Sequence, residues 1–301
     1  MKPAKRMLAL VALCLVFTLC AALYGCAKPA PAKGPEATPG TTPATQPEAT
    51  PETTPEATPE TKSETEPEGR TLTVGFDAEF APYGYMDENG EYTGFDLEMA
   101  QTLCERLGWA FKCVPIDWNS KDFELESGAI DCIWNGFTIN DRESLYAWTA
   151  PYMDNSQVFV VRAGEGIATQ AELAGKIVTV QMESSAQAAL EEEENAALMA
   201  SFKSLNTCKE YNTAFLELES GAVDAIAMDI GVARFQMEGR EEQFVILEDA
   251  LQAEQYGVGF FLQNTALRDE VEAELLKMVE DGTFKAISEK WFGYDVCILG
   301  K

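Results

Sequence analysis

Among the residue types that carry chemistry, carboxylates dominate this chain and imidazole is missing. Its 301 residues hold 50 Asp and Glu against 22 Lys and Arg, a formal charge of −28, and no histidine. Without histidine there is no Ser-His-Asp triad, no Cys-His nucleophile pair and no H-E-x-x-H zinc helix. So acidic a surface repels nucleic-acid phosphates and anionic headgroups, which argues against DNA, RNA or a basic membrane patch. Five cysteines, Cys104, Cys113, Cys132, Cys208 and Cys297, are scattered along the body with no C-x-x-C pair. That pattern implies no metal site and no redox motif. They read as small core residues, with one disulfide left as an open alternative.

A ten-residue repeat places polar residues where a ligand is met. Glu124-Leu125-Glu126-Ser127-Gly128-Ala129-Ile130-Asp131-Cys132-Ile133 matches Glu217-Leu218-Glu219-Ser220-Gly221-Ala222-Val223-Asp224-Ala225-Ile226 at eight of ten positions. Each copy reads as a helix end, a glycine able to take the left-handed cap, and a buried strand. The strands run out at Asn135-Gly136 and at Met228-Asp229, and open α/β sheets bind ligands beyond their strands' carboxyl ends. Chance reuse of a favourable turn is the plainer alternative. The sharper reading is two similar lobes with a cleft between them.

The elements that must position such a cleft are set out along the chain. Lys2, Lys5 and Arg6 precede an apolar run at 7–19, the form of an export signal. Leu23-Tyr24-Gly25-Cys26 resembles a bacterial lipobox, so 1–26 reads as a lipoprotein signal peptide with Cys26 as the lipidation site. An uncleaved membrane helix over 7–24 is the alternative. Residues 27–69 contain no aromatic residue and no Val, Ile, Leu or Met, but 10 of the 14 prolines. They form a disordered Pro/Thr/Glu-rich linker. In the body, strands are expected at 71–76, 110–114 and 176–181, and helices at 95–107, from 185 and at 269–279. This is an α/β pattern.

The body also resembles a known family, the bacterial extracellular solute-binding proteins for polar amino acids, which serve ABC importers. The resemblance is carried by Val74-Gly75-Phe76-Asp77 with Phe80-Ala81-Pro82-Tyr83, then Gly94-Phe95-Asp96-Leu97-Glu98 and Asn135-Gly136-Phe137-Thr138-Ile139. Further on it is carried by Ala150-Pro151-Tyr152, Ala174-Gly175-Lys176, Ala222-Val223-Asp224-Ala225, and Asp281-Gly282-Thr283-Phe284 through Lys290-Trp291-Phe292-Gly293. The fold it implies is α/β, two similar lobes with mixed sheets joined by two crossovers, with lobe 1 at 70–157 plus 259–301 and lobe 2 at 158–258. The crossovers are expected at 157–161 and 255–260.

The resemblance also assigns a site. Arg142 is expected to meet the ligand's α-carboxylate, because a guanidinium binds it bidentately and keeps its charge. Thr138, Asn135 and Gly136 stand at the same strand end, and the N–H groups of Ser185 and Ala186 add helix-terminal donors. The family has glycine where Glu183 stands. Asp229 matches the carboxylate that answers the ammonium. Phe80 and Trp118 match the aromatics that enclose the side chain, and Asp77 and Gln181 lie at its far end. The function implied is a lipid-anchored receptor on the outer face of the cytoplasmic membrane. It would bind a neutral or basic polar amino acid and deliver it to an ABC permease, as a monomer without cofactor or metal and not as an enzyme. A cyclohexadienyl-type dehydratase or a ligand-sensing surface lipoprotein on the same fold are the alternatives.

Overall fold

The structure, a computed structural model, describes residues 69–301. The export segment with Cys26 and all but the last residue of the expected linker lie outside the described residues. Strand β1 (Thr71–Phe76) opens the body, followed by a small sheet of β2 (Glu79–Phe80), β3 (Gly84–Met86) and β4 (Tyr92–Thr93). Helix α1 (Phe95–Leu107) lies where the apolar spacing places it. Phe95, Leu97, Met99 and Leu103 are buried, and Gly108 closes the helix at φ 68. Next come β5 (Ala110–Pro115), α2 (Lys121–Glu126), β6 (Cys132–Ile133) and β7 (Ala147–Trp148).

The chain continues through β8 (Met153–Arg162), β9 (Ile177–Gln181), α3 (Ser185–Glu191), α4 (Ala196–Ser201), β10 (Ser204–Cys208) and α5 (Tyr211–Ser220). It then forms β11 (Ala225–Asp229), α6 (Ile230–Gln236), β12 (Phe244–Ile246) and β13 (Gln252–Tyr256). It returns as β14 (Gly259–Phe260), α7 (Thr265–Glu280) and α8 (Thr283–Phe292). None of these helices is long and apolar enough to cross a membrane.

Two mixed sheets result, ordered β5-β1-β6-β14-β7 and β10-β9-β11-β8-β12, with β13 added to β8. In each, three neighbouring strands are parallel, the fourth (β14 or β8) runs against them, and the fifth (β7 or β12) runs against the fourth. The two-lobed α/β architecture expected from the repeat is therefore the architecture present. The repeat itself is one device used twice. Gly128 and Gly221 take φ 74 and φ 77, conformations that cost any residue with a Cβ. The carbonyl of Glu124 accepts the N–H groups of Ala129 and Ile130, and that of Glu217 accepts those of Ala222 and Val223. Asp131 then clips the Thr73 N–H at 2.7 Å and Asp224 clips that of Ile177 at 2.8 Å, so the two copies lock their strands beside β1 and β9 respectively.

The passages between sheets fall between β7 and β8 and between β13 and β14. The first comes earlier than the 157–161 expected. β8 belongs to the second sheet from Met153 onward, pairing with β13 from Met153↔Tyr256 to Gln157↔Gln252. From Gln157↔Asp229 to Val161↔Ala225 it pairs with β11. The apolar run at 158–161 is the buried centre of that sheet, not a crossing. All five cysteines described are free thiols.

Candidate functional site

The carboxyl ends of both sheets face one small pocket. Phe80, Trp118, Asn135, Gly136, Thr138 and Arg142 line it from the first lobe, and Gln181, Ser185 and Asp229 from the second. Ser184 joins them, and Asp77 and Ala186 stand behind the lining. Ala186 is fully buried in the first turn of α3. Among the described residues, no cluster of carboxylates and thiols suits a metal ion.

On the first lobe, the loop after β6 is held by a buried acid. Asp96 accepts the Gly136 N–H at 2.6 Å and the Tyr152 hydroxyl on both oxygens at 2.9 Å. Burial pushes its carboxyl up to about 7, against those same donors. Gly136 needs its missing Cβ, because at φ +54 a methyl would stand 3.0 Å from the Phe80 ring edge and 3.2 Å from Tyr256. Asn135 accepts the Asp77 N–H at 2.9 Å, while its own amide nitrogen is buried without a partner.

Arg142 follows a turn in which Asp141 takes φ 65. Its guanidinium lies 5.4 Å over the Phe137 ring and donates to the carbonyls of Thr138 (3.4 Å) and Glu183 (3.2 Å). No carboxylate among the described residues pairs with it. The cation therefore faces the pocket with its charge unanswered.

On the second lobe, Asp229 ends β11 and is almost wholly buried. It accepts from Asn155 Nδ2 at 2.7 Å and from the Tyr256 hydroxyl. Burial first, then the neighbouring Glu254 carboxylate, push Asp229 up to about 8. Ser184 is the N-cap of α3, its hydroxyl taking the Gln187 N–H at 3.1 Å. That frees Ser185, whose Oγ lies within hydrogen-bond distance of Thr138 Oγ1 of the other lobe (3.2 Å) and accepts from Gln157 Nε2 (2.9 Å). Glu183 takes φ 59, so the position where glycine was expected does hold the left-handed conformation. A non-glycine residue pays roughly 1–2 kcal/mol for it.

Glu183 also joins the lobes, its carbonyl accepting from Arg142 and from Trp118 Nε1 (3.3 Å). Gln181 donates to Asp77 Oδ2 at 2.6 Å, and at the rim Asn212 donates to Glu79 at 2.6 Å. The lobes are closed on each other. Burial lifts Asp77 to about 6, partly offset by the Glu79 N–H and Gln181. Its Oδ1 also takes the Glu79 N–H at 2.9 Å, so Asp77 both caps its own loop and reaches Gln181.

Sequence reasoning missed Asn155, Gln157 and Glu254. Glu254 Oε1 gathers Thr138 Oγ1 (2.9 Å), Asn155 Nδ2 (2.5 Å) and Gln157 Nε2 (2.7 Å). A period-two signal was present: Met153, Asn155 and Gln157 alternate on one buried face of β8, and Glu254 and Tyr256 on one face of β13.

Closed lobes, strand-end loops and an unpaired arginine opposite a buried acid define a protein that encloses a small charged solute. The profile of the bacterial extracellular solute-binding proteins, family 3, matches residues 72–294, and the chain belongs to that family. Its members bind solutes and are not enzymes, and the family's setting is extracellular. The chain is 30% identical over 232 residues to an L-cystine-binding protein of Escherichia coli K12, covering 76% of this chain and 85% of that protein. It is 25% identical over 227 residues to an arginine-binding extracellular protein of Bacillus subtilis, covering 74% and 86%. A solved structure of an ABC uptake transporter substrate-binding protein from Streptococcus pneumoniae with bound histidine superposes with TM-score 0.73 at 32% identity, covering 76% of this chain and 94% of that one.

Proposed function

We propose that this protein captures a polar amino acid, neutral or basic, by closing its lobes and presents it to the permease of an ABC importer. The carrying observation is a complementary pair of charges. Arg142, unpaired, and Asp229, buried, reach the same pocket from opposite lobes. A zwitterion leaving water needs one partner for each end. Arg142 takes the carboxylate, assisted by Thr138 and by the first-turn N–H groups of Ser185 and Ala186, which have no acceptor within the helix. Asp229 takes the ammonium. Phe80 and Trp118 flank the side chain, whose polar end meets Gln181, held by Asp77. The cystine, arginine and histidine in the relatives' names support a polar ligand.

A thermal-shift screen of the 20 amino acids and cystine on the whole protein is the test. A ligand at 100 times its Kd stabilises by about 2.7 kcal/mol, a rise of about 5–10 °C for a domain of this size. If nothing in the panel moves the midpoint by more than about 1 °C, the amino-acid reading is wrong.

The receptor is further proposed to be held at the outer face of the membrane by lipid on Cys26, with the proline-rich segment as tether. The basic start, the apolar run and Leu23-Tyr24-Gly25-Cys26 support this. Mass spectrometry of the mature N-terminal peptide should find a diacylglyceryl cysteine, and an unmodified Cys26 would refute the anchor.

A further inference from the structure

We propose that Asp229 and Glu254 share one proton in the ligand-free protein and surrender it when the ligand's ammonium enters, so that capture of an amino acid releases a proton. This rests on the functional reading above. Both residues are 3% exposed, and a single nitrogen, Asn155 Nδ2, donates to Asp229 Oδ1 at 2.7 Å and to Glu254 Oε1 at 2.5 Å. The two carboxylate oxygens therefore lie within about 5 Å of each other. Among the described residues no Lys or Arg pairs with either acid. Two like charges so placed and so dry do not both ionise readily.

The hydrogen bonds point the same way. Glu254 Oε2, Asn155 Oδ1 and Gln157 Oε1 are buried acceptors with no donor. A hydroxyl hydrogen on the carboxyl pair is the kind of donor the cluster lacks. The other titratable groups facing the pair are Tyr256 on β13, Tyr83 from the first lobe and Tyr211 on α5. Burial holds all three phenols protonated, well above their usual range. Arg142 and Asp77 lie on the remaining sides of the pocket. Burial and Glu254 raise Asp229 to about 8, so below that pH the pair enters binding with a proton.

The step balances without a redox partner. The O–H bond of the protonated carboxyl breaks, its proton passes to solvent, and the ammonium's N–H donors and positive charge take its place against Asp229 in the pocket, with Glu254 ionised behind Asn155. Affinity then rises with pH up to about 8, by as much as about tenfold per unit where one full proton leaves.

Two measurements decide the matter. L-Arginine and L-cystine, whose side chains do not titrate near pH 6.5, are titrated calorimetrically in phosphate and in Tris at that pH. The expected difference in heat corresponds to about one proton released by the wild type and to little or none by Glu254→Gln. Binding with no buffer dependence overturns the proposal. In the ligand-free protein, carboxyl ¹³C shifts from pH 5 to 9 should show one member of the pair titrating near 8. In Glu254→Gln the Asp229 carboxyl should titrate lower than in the wild type while staying raised by burial. Two carboxylates ionised throughout would overturn the proposal without any ligand. A shared proton in a protein that binds no member of the 20 amino acids and cystine supports the pair and strikes the functional reading instead.

Discussion

Arg142→Ala and Asp229→Ala should each weaken amino-acid binding by about a hundred- to several-thousand-fold. Removing one partner from a buried, hydrogen-bonded charge pair costs roughly 3–5 kcal/mol, at about 1.4 kcal/mol per decade of affinity. The two losses should not be equal. Arg142 is half-buried and its guanidinium already touches the Thr138 and Glu183 carbonyls, so water partly replaces it and its loss belongs at the lower end. Asp229 is buried and no water can screen the ammonium it leaves behind, which places it at the upper end. Calorimetric affinities with circular dichroism on each variant make the comparison. A folded Arg142→Ala that binds within threefold of wild type would show that the carboxylate is held elsewhere.

Asp77→Ala is the useful contrast. Asp77 does not line the pocket and acts through Gln181, which it holds at 2.6 Å. Its removal leaves the Gln181 amide held by the Lys209 carbonyl alone (2.8 Å) and should alter which side chains are accepted more than how tightly the common zwitterionic end is bound.

The repeat carried most of what could be read in advance. Helix, left-handed glycine and strand are local rules, and Gly128 and Gly221 obey them without help from the rest of the fold. Two copies then implied two lobes and strand polarity implied a cleft, while the resemblance to the family assigned the eleven ligand-binding residues, nine of which line one pocket. What stayed hidden depends on how strands pair across long separations. Asn155, Gln157 and Glu254 are polar residues on alternating strands, and alternation alone reads such positions as facing water. Only the pairing of β8 with β13, and of both lobes' strand ends around them, turns that face inward. The first crossover was placed late for a related reason. The run at 158–161 is apolar because its side chains are buried on both faces of the second sheet, where β8 pairs with β11, and no local pattern reveals that.

Asp96→Ala should cost about 3–5 kcal/mol of stability, although the residue does not itself line the pocket. The substitution strands two buried donors, the Gly136 N–H and the Tyr152 hydroxyl, at about 1–3 kcal/mol each, and leaves a small void between α1 and the loop. Because Gly136 forms part of the pocket wall, affinity should fall as well, through a loop no longer held at φ +54. Asp96→Asn separates the two roles of the acid. An amide oxygen still accepts one of the donors, so most of the stability should return, while the titration disappears. The sign of that titration follows from burial. The folded carboxyl is raised from 3.8 to about 7, so the folded protein keeps a proton the unfolded chain has lost. Its contribution is full below about pH 4 and is lost as pH climbs towards 7. Urea denaturation of the three proteins at pH 5 and pH 8 reads both effects. Wild type should lose more stability between those pH values than Asp96→Asn, and Asp96→Ala should be the weakest at either. An Asp96→Ala protein within 1 kcal/mol of wild type would mean that the loop carrying Asn135 and Gly136 is held by something other than this carboxyl.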